Sequence, residues 1–247
     1  MNDYDQTTYG DRIAAEYDGF IPITPEQTQA AVETLAALAN HGPVLELGIG
    51  TGRVALPLAA RGLKVQGIDA SQKMVDELRK KPGGDAIPVT MGDFGDVAVD
   101  GRFNLIFVVF STFFALLTQE AQVRCFANVA AHLEANGLFV IEAFVPDHSR
   151  LAGNQNLAVT TVGVDDVRLI ASLHDPLEQR VRSQHIVVAN NGTRCYPVQV
   201  RYAWPSELDL MAQLAGLQLK ERWGTWQRSP FRSSDTSHIS VYERKTA

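Results

Sequence analysis

The stretch Val44-Leu45-Glu46-Leu47-Gly48-Ile49-Gly50-Thr51-Gly52 constrains this chain more than any other segment. A short apolar run, the pattern of a buried strand, leads straight into a turn with glycine at every second position. Such a turn can take positive φ and has no Cβ to hold a ligand away from the backbone. It predicts the strand–turn–helix unit of an α/β sheet with a nucleotide-type cofactor seated on the turn. Glu46, two residues before the first glycine, bears on which cofactor. The dinucleotide pattern is G-x-G-x-x-G, and Arg53 stands where its third glycine would be. A carboxylate ahead of the turn repels a pyrophosphate and attracts a cation such as an amino group.

Beyond the turn, strand and helix patterns alternate. Strands are expected at 43–48, 64–69, 86–91, 103–110 and 137–145, and helices at 51–61, 71–80 and 118–134, with Ser71 and Thr118 as N-caps. Pro57 inside the first of these helices is a local conflict. The strands are short apolar runs rather than alternations, as in a parallel sheet covered on both faces. Upstream lies an aromatic, mixed-charge segment with Tyr4, Tyr9, Tyr17 and Phe20. A helix then opens at Thr24-Pro25-Glu26-Gln27, a capping box with proline in the first turn, and stops at His41-Gly42-Pro43.

Near residue 157 the rhythm changes to strand-like runs at 157–163, 167–174, 180–189 and 194–203, joined by turn-rich links that include the hairpin signal Asn191-Gly192. A helix from Pro205 to about Leu214 and strands near 217–224 and 237–244 complete the chain. The expected division is an N-terminal helical cover (1–42), a core (43–156 and 204–247) and a small antiparallel β insert (157–203).

At 247 residues, 45% hydrophobic and 20% charged, the chain suits one large globular domain or a core with a lid. The 22 basic against 28 acidic residues give a net charge of −6, which disfavours an electrostatic grip on nucleic acid. Two cysteines, Cys125 and Cys195, make no disulfide framework and read as inert apolar residues. No His/Cys cluster has zinc spacing, so no metal is expected. With no signal-peptide pattern and no apolar run of membrane-spanning length, a cytoplasmic, membrane-free protein is expected.

Three further features follow the glycine turn. Asp69 ends the second strand, 21 residues after Gly48, the spacing at which a carboxylate accepts from ribose hydroxyls. NAD sites use the same device, so Asp69 alone does not separate cofactor classes. Met91-Gly92-Asp93-Phe94 follows the third strand. The fourth strand, Phe103 to Phe110, ends in Ser111-Thr112-Phe113-Phe114, where aromatic faces can attract a sulfonium.

Together these motifs resemble the class I S-adenosylmethionine (SAM) methyltransferases, over roughly residues 9–145 plus the final strand pair. The resemblance implies an α/β doubly wound, Rossmann-like sheet of seven strands with the last antiparallel, and the β insert as a lid. It assigns SAM to Tyr17, Glu46, Gly48, Gly50, Gly52, Asp69, Ala70, Met74, Asp93, Phe94, Phe110 and Ser111. Within that set Tyr17 reaches the methionine carboxylate and Asp93 accepts from the adenine amino group. Thr112-Phe113-Phe114-Ala115 and the insert are similar to small bacterial methyltransferases of natural-product pathways, among them amino-sugar and peptide α-N-methyltransferases.

The implied reaction is methyl transfer by in-line displacement to a small-molecule or peptide-terminal acceptor, nitrogen favoured. O-methylation of a phenol or hydroxyl, and a non-catalytic SAM-binding module, remain alternatives. His148, just past the fifth strand beside Asp147, is the candidate base. His174 and His185 in the insert face either site or solvent, and alternation with Ile186 and Val188 favours an outward His185. Phe114, Phe144 and Trp226 are the candidate substrate contacts. Nucleic acid is further disfavoured because Phe110-Ser111-Thr112-Phe113 stands where DNA-modifying relatives carry Asn/Asp-Pro-Pro-aromatic. The insert serves equally as a dimer element, so a monomer or homodimer is expected.

Overall fold

The computed structural model describes residues 4–20, 23–147, 149 and 152–245. His148 lies outside the described residues, so the candidate base at that position has no structural account.

The first strand, β1 (Val44–Leu47), is buried along its whole length. It pairs in parallel with β2 (Val65–Asp69) on one side and β4 (Phe103–Val108) on the other. With β3 (Val89–Met91), β5 (Leu133–Phe144), β10 (Leu217–Trp223) and β11 (Ser237–Arg244) it forms a seven-stranded sheet ordered β10-β11-β5-β4-β1-β2-β3. Only β11 opposes the rest: it is antiparallel to both β5 and β10. The chain moves outward from β1 through β2 to β3, then returns to β4. The crevice beyond β1 and β4 is therefore the switch point at which open α/β sheets bind ligands.

Helices α3 (Pro25–Ala39) and α4 (Ala55–Ala60) cover one face and α6 (Gln119–His132) and α7 (Pro205–Leu214) the other. Successive strand residues serve opposite faces: Leu45, Ile106 and Val108 pack toward α6, Leu105, Phe107 and Val140 toward α3. Phe126 on α6 is the hub of the first layer, edge-on to Phe113, Phe139 and Tyr242 at 5.5, 5.3 and 5.6 Å between ring centres. The expected caps form: Thr24 completes a capping box with Gln27, Ser71 starts α5 (Gln72–Arg79), and Thr118 starts α6.

Some boundaries differ from the sequence pattern. The helix expected over 51–61 starts only at Ala55, because the glycine turn holds positive φ through Gly52. Pro57 thus falls in the first turn, where its missing N–H has no intrahelical partner to lose. β4 stops at Val108 instead of reaching residue 110, since Phe110 and Ser111 turn left-handed.

The insert forms a separate antiparallel sheet, β6 (Gln155–Val162), β7 (Asp166–Asp175), β8 (Arg180–Ala189) and β9 (Gly192–Arg201). Two clamps fix it to the core. Arg201, almost fully buried, donates to Glu207 Oε1 on α7 at 2.8 Å, and Arg180 Nε donates to the Leu117 carbonyl at 2.9 Å. The N-terminal helices α1 (Thr8–Ile13) and α2 (Tyr17–Phe20) wedge between this sheet and α5. Ile13, Met74, Val187 and Tyr196 form a small core there, and the Ser71 hydroxyl donates to Asp11 Oδ1 at 2.6 Å. Among the described residues no helix is long and apolar enough to cross a membrane.

Phe126→Ala empties the centre of the aromatic layer and is expected to cost about 3–5 kcal/mol in denaturant unfolding. A loss below ~1 kcal/mol would show that the layer does not depend on this ring.

Candidate functional site

The carboxyl ends of β1 to β5 open into a cavity of about 1030 Å³. Gly48 and Gly50 line it from the exit of β1, and Asp69, Ala70 and Met74 from the exit of β2 and the start of α5. Asp93 and Phe94 follow β3, Phe110 and Ser111 follow β4, and Tyr17 closes the side. The inner face of the second sheet roofs the space through Ile170, Val181, Ser183, His185, Val198 and Val200. The fold thus brings together most of the residues that the sequence singled out, from five separate loops.

The glycines of the turn have different jobs. Gly48 sits at φ 73°, and a Cβ there would lie 2.6 Å from Thr112 Cγ2. Gly50, at φ 55°, has nothing within 4 Å of where its Cβ would stand, so it presents bare backbone to the cavity. Gly52 does not line the cavity: a Cβ there would lie 2.3 Å from Leu78 Cδ1, so close packing on α5 requires this glycine. The expectation that Gly52 touches a cofactor is corrected on that ground.

Asp69 ties two loops together. Its Oδ2 accepts from the Gly50 N–H at 2.7 Å and its Oδ1 from the Ser71 N–H at 2.9 Å. Burial pushes its pKa up, partly offset by these backbone donors. Asp93 Oδ1 accepts from the Gly95 N–H at 2.8 Å, which sets the turn after β3.

Glu46 stands just behind the wall of the main cavity, beside Gly48 and Gly50, which line both spaces. It is 3% exposed and borders a small void of about 20 Å³ shared with Tyr17, Gly48, Gly50, Arg53 and Phe110. Its Oε2 is buried without a hydrogen-bond partner, as is Arg53 Nε beside it. Burial raises the Glu46 pKa well above the usual carboxylate value, with Arg53 opposing the shift. The Arg53 guanidinium lies beside Tyr17, donates from Nη1 to Thr28 Oγ1 at 3.3 Å and stacks 3.4 Å from the centre of the Phe110 ring. A carboxylate and a guanidinium with unused capacity, against open backbone, are complementary to the ammonium and carboxylate of an amino-acid group.

Sequence reasoning missed Arg53 and Glu142. Phe110 and Ser111 are consecutive non-glycine residues at φ 57° and 63°. Such positions cost of order 1–3 kcal/mol each and need support. Glu142 on β5 supplies it: its Oε2 accepts from the Phe110 N–H at 3.0 Å and its carbonyl from the Ser111 N–H at 3.0 Å. The Phe144 N–H donates to Ser111 Oγ at 3.0 Å. A lone acid in the apolar run Leu138 to Phe144 was the available signal.

Trp226, expected to contact substrate, is instead buried among the α3-side residues, where its Nε1 donates to Glu142 Oε1 at 2.9 Å. Its position is corrected: the link between β10 and β11 folds it under the sheet, and it does not line the cavity. Phe114 is likewise fully buried behind Phe144, 4.9 Å between ring centres, and only Phe144 reaches the cavity. His174 is buried, bonded to Tyr202 Oη at 2.9 Å. His185, expected outward, faces the cavity, because the register that puts Val181 and Ser183 inward puts it inward too. It is the apolar Val188 that meets solvent.

Residues 44–137 match the sequence model of a family described as a methyltransferase domain. The chain is 40% identical to the CcbJ methyltransferase from Streptomyces caelestis, with a TM-score of 0.93 over 98% of this chain and 100% of that one. It is 26% identical to the cypemycin N-terminal methyltransferase of a Streptomyces species, across 98% of this chain and 99% of the relative. CalS10 of Micromonospora echinaspora, an amino pentose methyltransferase solved with SAM bound, shares the fold at a TM-score of 0.69 and 18% identity, over 92% of this chain and 94% of that one.

The buried acid at position 46 has a consequence for stability. A carboxylate whose folded pKa lies above its unfolded one stabilises the fold fully below the unfolded value, near 4.5. That contribution is lost as pH rises through the folded value. Ligand-free Glu46→Gln is therefore expected to melt a few degrees above the parent at about pH 8, with the gap closing toward about pH 5. A variant that melts below the parent at the higher pH contradicts this account.

Proposed function

Since the chain belongs to the SAM-dependent methyltransferases, we propose that it methylates the nitrogen of an amine carried by a small molecule or a peptide terminus. The observation that carries the cofactor half of this reading is the pair of unpartnered buried atoms, Glu46 Oε2 and Arg53 Nε, beside the bare Gly48–Gly50 backbone. We assign Glu46 to the amino group of the methionine moiety, and Arg53 with Tyr17 to its carboxylate. Asp69 accepts from the ribose hydroxyls, with the Ala70 backbone alongside. Asp93 accepts from the adenine amino group, and Phe94 and Met74 pack against the ring. Phe110 and Ser111 border the position of the sulfonium.

When bound, SAM supplies a methyl group made electrophilic by the adjacent sulfonium. The protein's task is to hold the acceptor nitrogen in line with the methyl carbon and sulfur, at about 3 Å from that carbon, and to keep water out. The Glu142-braced turn at Phe110-Ser111 and the Phe144 ring form the fixed wall of that approach. The second sheet forms the opposite wall. Its inner face is mostly apolar, which suits a lid over an acceptor that must be desolvated. The leaving group is neutral, so no general acid is required. The relative named for N-terminal methylation supports nitrogen over oxygen.

Asp69→Ala and Gly50→Val are each expected to weaken S-adenosylhomocysteine binding by roughly 100-fold in calorimetric titration while leaving a folded protein. Parent-like binding by either variant would remove the site from this position. Val200→Phe on the roof is expected to impair amine methylation with less than a threefold change in S-adenosylhomocysteine affinity. Equal loss of both would mean that the second sheet is not the acceptor wall. The reaction class is tested with methyl-labelled SAM against α-amines and phenols, and label in phenols alone overturns the nitrogen reading.

A further inference from the structure

We propose that His185 receives the proton that an α-amino acceptor must release before it can be methylated, an inference that rests on the N-methylation reading above. Strand β8 crosses the roof of the cavity. At one end Arg180 is tied to the Leu117 carbonyl, and at the other Val187 packs with Met74 and Ile13. Between these anchors Val181, Ser183 and His185 point inward at alternate positions.

Two neighbouring polar side chains of this sheet are engaged. Ser183 Oγ shares a hydrogen bond with Ser172 Oγ at 2.8 Å, and His174 is bonded to Tyr202. The His185 ring touches Phe20, 6.0 Å between ring centres, and neither of its nitrogens has a hydrogen-bond partner among the described residues. A half-buried imidazole with both nitrogens unused, set in the wall of a ligand cavity, is a group whose partner is to be found in the ligand.

Its electrostatic setting leaves it neutral. Around that corner stand Tyr196 on β9, Arg168 of β7 over the Phe20 ring, the Arg194–Glu16 pair, and Tyr4 and Tyr9 across the cavity. Burial alone lowers the His185 pKa, with no contribution from these groups, so the ring is neutral at neutral pH and has a lone pair to offer. The other candidates are unsuitable. Burial raises the pKa of Tyr4, Tyr9 and Tyr17, which leaves them as proton donors. Asp69 and Asp93 belong to the cofactor half. Asp147 accepts from Ser149, and Asp235 from the Arg232 N–H.

The chemistry also selects the acceptor. An α-amino group, with a pKa near 7.7–8.0, gives up its proton to an imidazole far more readily than a lysine-type amine near 10.4. The acceptor ammonium transfers its proton to an imidazole nitrogen, leaving a neutral amine and an imidazolium. The amine lone pair then forms the N–C bond as the C–S bond breaks, and the electron pair departs with sulfur as a neutral thioether. The methylated nitrogen carries the positive charge, and the imidazolium returns its proton to water.

The test uses the full chain loaded with S-adenosylhomocysteine and alaninamide as the α-amine probe. Alaninamide, bound as its ammonium, is expected to shift the His185 imidazole resonance in NMR and to lower its titration midpoint, a readout that needs no turnover. With SAM, His185→Gln and His185→Asn are expected to lower kcat for alaninamide by roughly 100-fold or more, within the range for lost general bases. The imidazole inflection should vanish from the pH–rate profile, and added imidazole should restore part of the rate. Thermal unfolding and S-adenosylhomocysteine affinity should stay within twofold of the parent. A His185 resonance unmoved by saturating alaninamide, or variants as fast as the parent, overturns the proposal and leaves N-methylation standing. Methylation of phenols instead of amines overturns N-methylation itself.

Discussion

The Asp69 carboxylate joins the two turns on which the site is built. One oxygen holds the Gly50 amide and the other the Ser71 amide, so the glycine turn after β1 and the start of α5 after β2 are fixed relative to each other. The Gly48 and Ile49 amides complete the union by donating to the Ile68 carbonyl. With β1 and β2 in parallel register, this leaves a rigid floor of backbone and one carboxylate whose remaining lone pairs face the cavity. A loose loop could not hold a carboxylate in this position without water competing for it. Here the backbone donors are paired in advance, so the ligand loses little ordering entropy to the protein.

A second constraint acts on the far side of β1. Phe110 and Ser111 turn left-handed although neither is glycine, and Glu142 holds them there from the neighbouring strand. Trp226 in turn holds Glu142. A residue expected to touch substrate thus acts two contacts away, through a carboxylate that keeps the β4 exit in shape. Glu46 is buried and Asp69 and Glu142 half-buried, and desolvation raises the pKa of all three acids in a domain that otherwise favours apolar interiors. Their concentration at one sheet edge is the pattern of a functional site maintained at some expense in stability.

The second sheet is built differently. The roof is a curtain of strands whose inward residues are chosen by register; the paired Arg180 and Arg201 clamp one end of it to the core, and Val187 and Tyr196 pack the other against Ile13 and Met74. In the function proposed above, this division separates a rigid cofactor floor from a wall that can vary in composition without disturbing it.

Much of the fold was legible in the chain. Parallel strands buried on both faces appear as short apolar runs, caps need specific residues, and a glycine turn needs glycine; all three are local rules, so β1, the three caps and the insert were readable without coordinates. Asp69 and Asp93 were readable because strand ends in such a sheet converge. What the sequence could not decide was which side of a packed element a residue occupies. Gly52 looks like its two neighbours, yet the side chain it must avoid is Leu78, on the following helix. Trp226 and Phe114 have the pattern of cavity residues and are core, and His185, whose alternation leaves site and solvent both open, is in the cavity. Arg53 and Glu142 gained their significance only when strands distant in sequence came side by side. Identity and spacing determined the turn, the alternation of elements and the cofactor class. Burial, register and the pairing of charges are properties of neighbours, and the neighbours exist only once the sheet has formed.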